Sequence, residues 1–147
     1  MEYDITNDDL VLSGDNEFDE VLRNNISRQV IVKNGYIINN VRFIGNSEEQ
    51  KKLDEIFLTR LNAGVNINKF ICWVSKDALK ISVDNFIAGS NKFNMMRIVP
   101  FLDKNELKKL ATKIIDEDGY NGLYFNSLIP FLDKFFIKKV VKDFINN

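Results

Sequence analysis

The apolar and polar positions of residues 46–147 follow a helical rhythm. Short apolar segments alternate with longer stretches in which apolar residues recur every three or four positions, the spacing that places them on one face of an α-helix. Each longer stretch follows a side chain that can cap a helix N-terminus, namely Ser47, Ser75, Asp103 and Asp133. Gln50 would complete a capping box with Ser47, and Gly89 and Gly119 can end two of the helices. The pattern predicts four capped helices separated by shorter helical pieces.

An internal repeat supports this prediction. Residues 97–115 and 127–145 align at a shift of 30, and Pro100 and Pro130, the chain's two prolines, fall at equivalent positions. A weaker copy begins at Lys69. Stacked helix pairs bury the apolar stripe that one helix cannot bury alone, so we expect a short stack of helical repeats, with units near 47–64, 69–89, 97–119 and 127–147.

The first 45 residues have a different pattern. Asn34-Gly35 lies between two β-branched runs, which is the strongest short-range signal for a β-hairpin. Residues 3–12 could add a third strand, and residues 17–25 one short helix. We therefore predict a mainly α (α+β) protein, in which a small N-terminal β-hairpin or three-stranded sheet (1–45) packs on the helical repeat region (46–147) as one continuous body.

The composition excludes several kinds of functional site. The chain of 147 residues has no histidine and one cysteine, which excludes catalysis by histidine, internal disulfides and Cys-cluster zinc sites. Cys72 lies in an apolar run, so we expect a buried structural thiol. The acidic start lacks the features of a signal peptide, and no apolar run reaches the length of a membrane span. A cytoplasmic protein without a membrane partner is expected.

The net charge of −1 conceals an uneven distribution. Residues 1–20 carry eight acids and no base, whereas residues 21–147 carry twenty bases and thirteen acids. Alternate acids at Asp15, Glu17 and Asp19 could suggest Ca²⁺, but the glycine and the bidentate glutamate of an EF-hand loop are missing. Solvated acids are the favoured interpretation. No phosphate-binding loop or nucleophile motif occurs, and we predict no catalytic residue, cofactor or metal site.

Lysines recur in register with the repeat. Each of three predicted helices carries a pair four residues apart, which places both members on one face: Lys76 and Lys80, Lys104 and Lys108, and Lys134 and Lys138. Such a ladder has three interpretations, which are a solvated face, a surface for an acidic protein partner and a surface for nucleic-acid phosphates. The acidic residues 1–20, which we call the acidic head, could themselves bind the ladder, in the same molecule or in a neighbour.

Aromatic residues give the second surface candidate. Trp73, Phe101 and Phe131 occupy equivalent apolar positions of the repeat, where core packing is expected. Phe135 and Phe136 instead replace the polar residues Asn105 and Glu106 of the preceding copy. Two aromatic residues at positions that are polar in the other copy are typical of an interface.

Two segments resemble known repeats. Residues 50–67, with Gln50 near the start and the ending Ala63-Gly64-Val65-Asn66-Ile67, are similar to a helical repeat of many proteins from low-GC Gram-positive bacteria and their mobile elements. The Pro-Phe-Leu-Asp segments resemble tandem helical repeats of other bacterial proteins of unknown function. The resemblance covers residues 47–68 and 97–145, departs from the pattern at Cys72-Trp73, and implies no catalytic activity.

The sequence thus favours a non-enzymatic protein–protein interaction or regulatory module, in the setting of a bacterial mobile element or of toxin immunity. Its predicted partner-binding residues are the six lysines of the ladder together with Phe135 and Phe136. The alternative is a nucleic-acid-associated regulator that places the same lysines on phosphates. Arginine, which reads base edges better than lysine, is scarce at five residues.

Overall fold

A computed structural model describes residues 12–89, 93–120 and 122–145. The protein is mainly α-helical with a small antiparallel sheet preceding most of the helices, as predicted. Its contacts divide the chain into two compact units, 1–78 and 79–147. Most of the predicted third strand, at residues 3–12, lies outside the described residues. Within those residues, no helix has both the length and the apolar character that crossing a membrane requires.

Among the described residues, the elements of the first unit include helix α1 (Asn16–Asn24), strands β1 (Ile26–Lys33) and β2 (Tyr36–Phe43) and helix α2 (Ser47–Asn62). The strands pair antiparallel, from Ile26 opposite Phe43 to Lys33 opposite Tyr36. Asn34 and Gly35 both have positive φ, at 53° and 80°, as the predicted two-residue turn requires. The ends of the strands near the helices are half-buried, whereas the apolar side chains near the turn are exposed.

Helix α2 is capped one residue earlier than predicted. The Asn46 side chain accepts from the Glu49 backbone N–H at 2.9 Å, and the Glu49 carboxylate accepts from the Asn46 N–H at 3.0 Å. The predicted pair of Ser47 and Gln50 is wrong because Asn46 already has the extended backbone of a cap. Gln50 instead donates to the Asp54 carboxylate and to the Trp73 carbonyl. The unit's core includes Phe18, Leu53, Phe57 and Phe70.

The repeat has one local structure in all three copies. A 3₁₀ turn comes first, at Ile71–Trp73, Val99–Phe101 and Ile129–Phe131. One extended residue follows, and then the predicted cap, since Ser75, Asp103 and Asp133 each accept a backbone N–H of the next turn. Helices α3 (Lys76–Ile87), α4 (Lys104–Glu117) and α6 (Lys134–Ile145) begin directly after these caps, and the short helix α5 (Phe125–Leu128) precedes the last turn.

The aromatic positions of the repeat are not core positions. Phe101 is 54% exposed and Phe131 is 37% exposed, and Trp73 is only half-buried. A 3₁₀ turn presents successive side chains about 120° apart, so a turn that buries Val99 directs Phe101 towards solvent. The core of the second unit is built from other residues, among them Phe86, Ile98, Leu110, Ile114 and Leu128.

Cys72 is exposed, so the prediction of a buried thiol is also wrong. The same turn geometry explains it, because Ile71 fills the core position and the next side chain turns outward. Local desolvation nevertheless raises the pKa of the Cys72 thiol. Since the thiolate is the nucleophile, this shift reduces the reactive fraction at neutral pH.

We expect iodoacetamide to label Cys72 in the folded protein without denaturant. The rate should rise with pH, with a midpoint above that of the urea-unfolded chain, because only the folded state desolvates the thiol. Mass spectrometry after timed quenching gives both rates, and Cys72→Ser is the blank. Labelling that requires urea would contradict the exposed position.

Candidate functional site

A groove lies beside the N-terminal turns of α4 and α6, within the second unit. Its volume is about 680 Å³, and it is lined by Lys104, Lys108, Asp133, Lys134, Phe135, Phe136 and Lys139. The two Asp caps bring these side chains together, because Asp103 and Asp133 fix where α4 and α6 begin and thereby place Lys104 and Lys134 in their first turns. We call this surface the basic–aromatic groove.

Positive charge dominates the groove. Four lysines and one aspartate line it, and the aspartate is partly engaged, since Asp133 Oδ1 accepts from the Phe136 N–H at 2.7 Å. The Lys108 ammonium lies 3.9 Å from Asp133 Oδ2 and 6.0 Å from the centre of the Phe136 ring. Lys104 and Lys134 sit where the helix dipole disfavours cations. An anionic partner would relieve that cost.

The aromatic part of the groove is accessible to solvent. Phe135 is 86% exposed, and Phe136 is half-buried beside Lys108. Of the α6 side chains that the structure describes, none is buried, although most of its apolar residues are large. The helix therefore leaves apolar surface exposed at Phe135, Val141 and Ile145, and contiguous exposed apolar surface is typical of interaction sites.

The predicted ladder is divided by the structure. Lys104, Lys108 and Lys134 meet at the groove with Phe135 and Phe136, whereas Lys138 lines a different surface of α6. Lys76 and Lys80 lie on α3, the first in unit 1–78 and the second in unit 79–147, and neither lines the groove.

The sequence prediction omitted Lys139, which lines the groove. Its spacing of four from Phe135 was the available signal, since residues i and i+4 share a helix face. The equivalent residue of the preceding copy, Lys109, does not have this role, because it forms ion pairs within its own unit. Lys109 donates to Asp84 at 2.8 Å and pairs with Glu106, and the hydrogen bond to Asp84 is the main cause that raises the pKa of Lys109.

The acids near the N-terminus are not all solvated, which corrects the favoured interpretation. Asp15 caps α1 and lies 2.6 Å from Arg60 Nε. Burial raises the pKa of Asp15, but the hydrogen bonds from Arg60 and from the Phe18 N–H outweigh it, so the pKa is lowered overall. Asp19 is buried and accepts from Ser13 and Gly14. Both carboxylates stabilise the start of α1.

The side chains of the groove are suited to binding both an anion and an apolar group. Lysine ammonium groups donate hydrogen bonds to carboxylate or phosphate oxygens, and an exposed phenyl ring can bury the apolar part of a partner. In the part of the chain that the structure describes, no cluster of three or more Cys, Asp or Glu residues could hold a metal ion.

Comparison with protein-family models, with characterised proteins and with solved structures gives no match.

Proposed function

We propose that the protein is a non-enzymatic protein-interaction module whose basic–aromatic groove binds an acidic segment of a partner protein. The observation that supports this most strongly is the placement of Phe135, 86% exposed, beside four lysines and one carboxylate. Carboxylates would pair with the ammonium groups at the rim, while an apolar side chain covers the ring. Interface energy is concentrated in such aromatic anchors, and rim charges mainly accelerate and orient association.

The composition of the groove favours protein over nucleic acid. It contains lysine but no arginine, and arginine is the residue that recognises bases and phosphates in a bidentate way. The chain as a whole carries a net charge of −1, which disfavours nonspecific binding to a polyanion. The resemblance of residues 47–68 and 97–145 to bacterial repeats supports a regulatory setting in a mobile element or in toxin immunity.

The test measures binding of a fluorescent peptide that is rich in glutamate with interspersed leucines. We expect the double variant Lys104→Glu/Lys108→Glu and the single variant Phe135→Ala each to weaken binding about tenfold or more, because one removes the charge and the other the anchor. Fluorescence anisotropy at two salt concentrations gives the affinities. Lys51→Glu/Lys69→Glu, which makes the same charge change at exposed positions of the first unit, should leave binding unchanged.

A single-stranded oligonucleotide of the same length serves as the competing ligand. Oligonucleotide binding that is tighter than peptide binding, falls steeply with salt and ignores Phe135→Ala would favour the nucleic-acid alternative. Equal binding of the peptide by the parent protein and by both groove variants would overturn the proposal.

A further inference from the structure

Helix α6 has a second exposed surface, separate from the groove. Ile137, Val141 and Ile145 follow each other at intervals of four residues, and Val141 is 48% exposed and Ile145 74%. Lys138 and Lys142 line the same surface. We call these five residues the outer stripe of α6. It has the composition of an amphipathic helix that docks on a partner, with apolar side chains along the helix and charges beside them.

The first unit carries a surface of opposite character between α1 and α2. A groove of about 560 Å³ is lined by Glu17, Glu20, Glu49 and Glu55 against a single Lys52. Val21 and Ile56 supply half-buried apolar surface within it. One of the four carboxylates is partly neutralised, since Glu17 lies 3.5 Å from Arg60. We call this surface the acidic groove.

We propose that α6 of one copy docks, through its outer stripe, into the acidic groove of a second copy. The charges are complementary, because the outer stripe carries Lys138 and Lys142, and the groove has four glutamates and one lysine. The apolar surfaces also correspond, with Ile137, Val141 and Ile145 facing Val21 and Ile56. Like-charged α6 helices would repel each other, so a symmetric contact between two outer stripes is disfavoured.

The contact joins two different surfaces, which makes it heterologous. Each copy in a pair then keeps one unused stripe and one unused groove, so association continues head to tail into short chains or closes into a ring. The interaction should be weakened by salt, since exposed charges contribute much of the attraction. This inference does not depend on the basic–aromatic groove, whose α4 lysines take no part in it.

Variants of the 147-residue chain with reversed charges test the pairing. Lys138→Glu/Lys142→Glu reverses the stripe, and Glu20→Lys/Glu55→Lys reverses the groove while sparing Glu49, which caps α2. Each variant alone should associate at least about tenfold more weakly than the parent protein, because like charges then meet. Mixed together they should reassociate, since each presents a surface complementary to the other. Sedimentation velocity over a concentration series measures the association of the parent protein, of each variant and of the mixture.

Two control variants carry the same charge changes elsewhere. Lys51→Glu/Lys69→Glu and Glu48→Lys/Asp77→Lys alter exposed residues outside both surfaces and should associate like the parent protein. Lys104→Glu/Lys108→Glu should also retain association, so a failure of the proposed function remains distinguishable from a failure of this inference.

The inference is overturned if the parent protein is monomeric at every concentration, or if the mixed variants associate no better than each alone. Vesicles of phosphatidylserine and phosphatidylcholine supply a further comparison. A parent protein that stays monomeric and binds these vesicles only with Lys138 and Lys142 intact would assign the outer stripe to an anionic membrane surface instead.

Discussion

Replacing Phe86 by alanine should lower the free energy of unfolding by about 3–5 kcal/mol, the usual cost of deleting a buried phenyl ring. Phe86 is almost fully buried, and its ring centre lies 5.9 Å from that of Phe93 and 5.4 Å from that of Tyr120. Tyr120 in turn donates to the Ile87 carbonyl at 3.1 Å. The cavity would therefore disturb both an aromatic cluster and the end of α3. Urea denaturation followed by circular dichroism measures the loss.

Phe101→Ala is the matched control for this variant. The residue type and the change are identical, but Phe101 is exposed and occupies the repeat position at which the sequence predicts a core residue. We expect a loss below about 1 kcal/mol, since little apolar surface returns to water. Equal losses for the two variants would contradict the assignment of the core.

Replacing Asp19 by alanine should cost about 2–3 kcal/mol, although its neighbours in sequence suggest a solvated acid. The Asp19 carboxylate accepts from the Ser13 N–H at 2.9 Å, the Ser13 hydroxyl at 2.7 Å and the Gly14 N–H at 3.0 Å. Alanine would leave these donors without their acceptor in a part-buried position. Hydrogen exchange should show faster opening of α1, and urea denaturation should show the loss of stability.

Glu20→Ala provides the comparison for Asp19→Ala. It removes an adjacent carboxylate from the same helix, but Glu20 is exposed and lines the acidic groove. Its effect on stability should stay within about 0.5 kcal/mol. A loss as large as that of Asp19→Ala would mean that the net charge of α1, and not the hydrogen bonds of Asp19, determines the stability.

Local sequence signals predicted the elements well. The caps Ser75, Asp103 and Asp133 and the turn at Asn34-Gly35 act through neighbours within about four residues, so they can be recognised without the tertiary fold. The repeat likewise predicted one local structure for each copy. The cap of α2 was misplaced by one residue, because Asn46 and Ser47 are both capable caps and only the backbone conformation decides between them.

The candidate site was predicted in part. Lys104, Lys108, Lys134, Phe135 and Phe136 do lie together, because their spacing from the caps determines which side of α4 and α6 they occupy. Lys138 does not join them, although it is four residues from Lys134, and lines the surface of Ile137 and Val141 instead. The acidic groove had only a partial sequence signal. Glu17 and Glu20 belong to the acidic residues 1–20, whereas Glu49 and Glu55 come from a second helix that the hairpin separates from the first.

The sequence by itself determined where helices and turns begin, that histidine chemistry is excluded, and that basic and acidic residues are unevenly distributed. Only the tertiary structure decided which residues each turn buries: Ile71 and Val99 point inward, whereas Cys72 and Phe101 are exposed. It also decided that Asp19 is buried and hydrogen-bonded, whereas the adjacent Glu20 is exposed. The physical reason is that caps and turns depend on contacts between near neighbours, whereas burial depends on packing between residues that are distant in sequence.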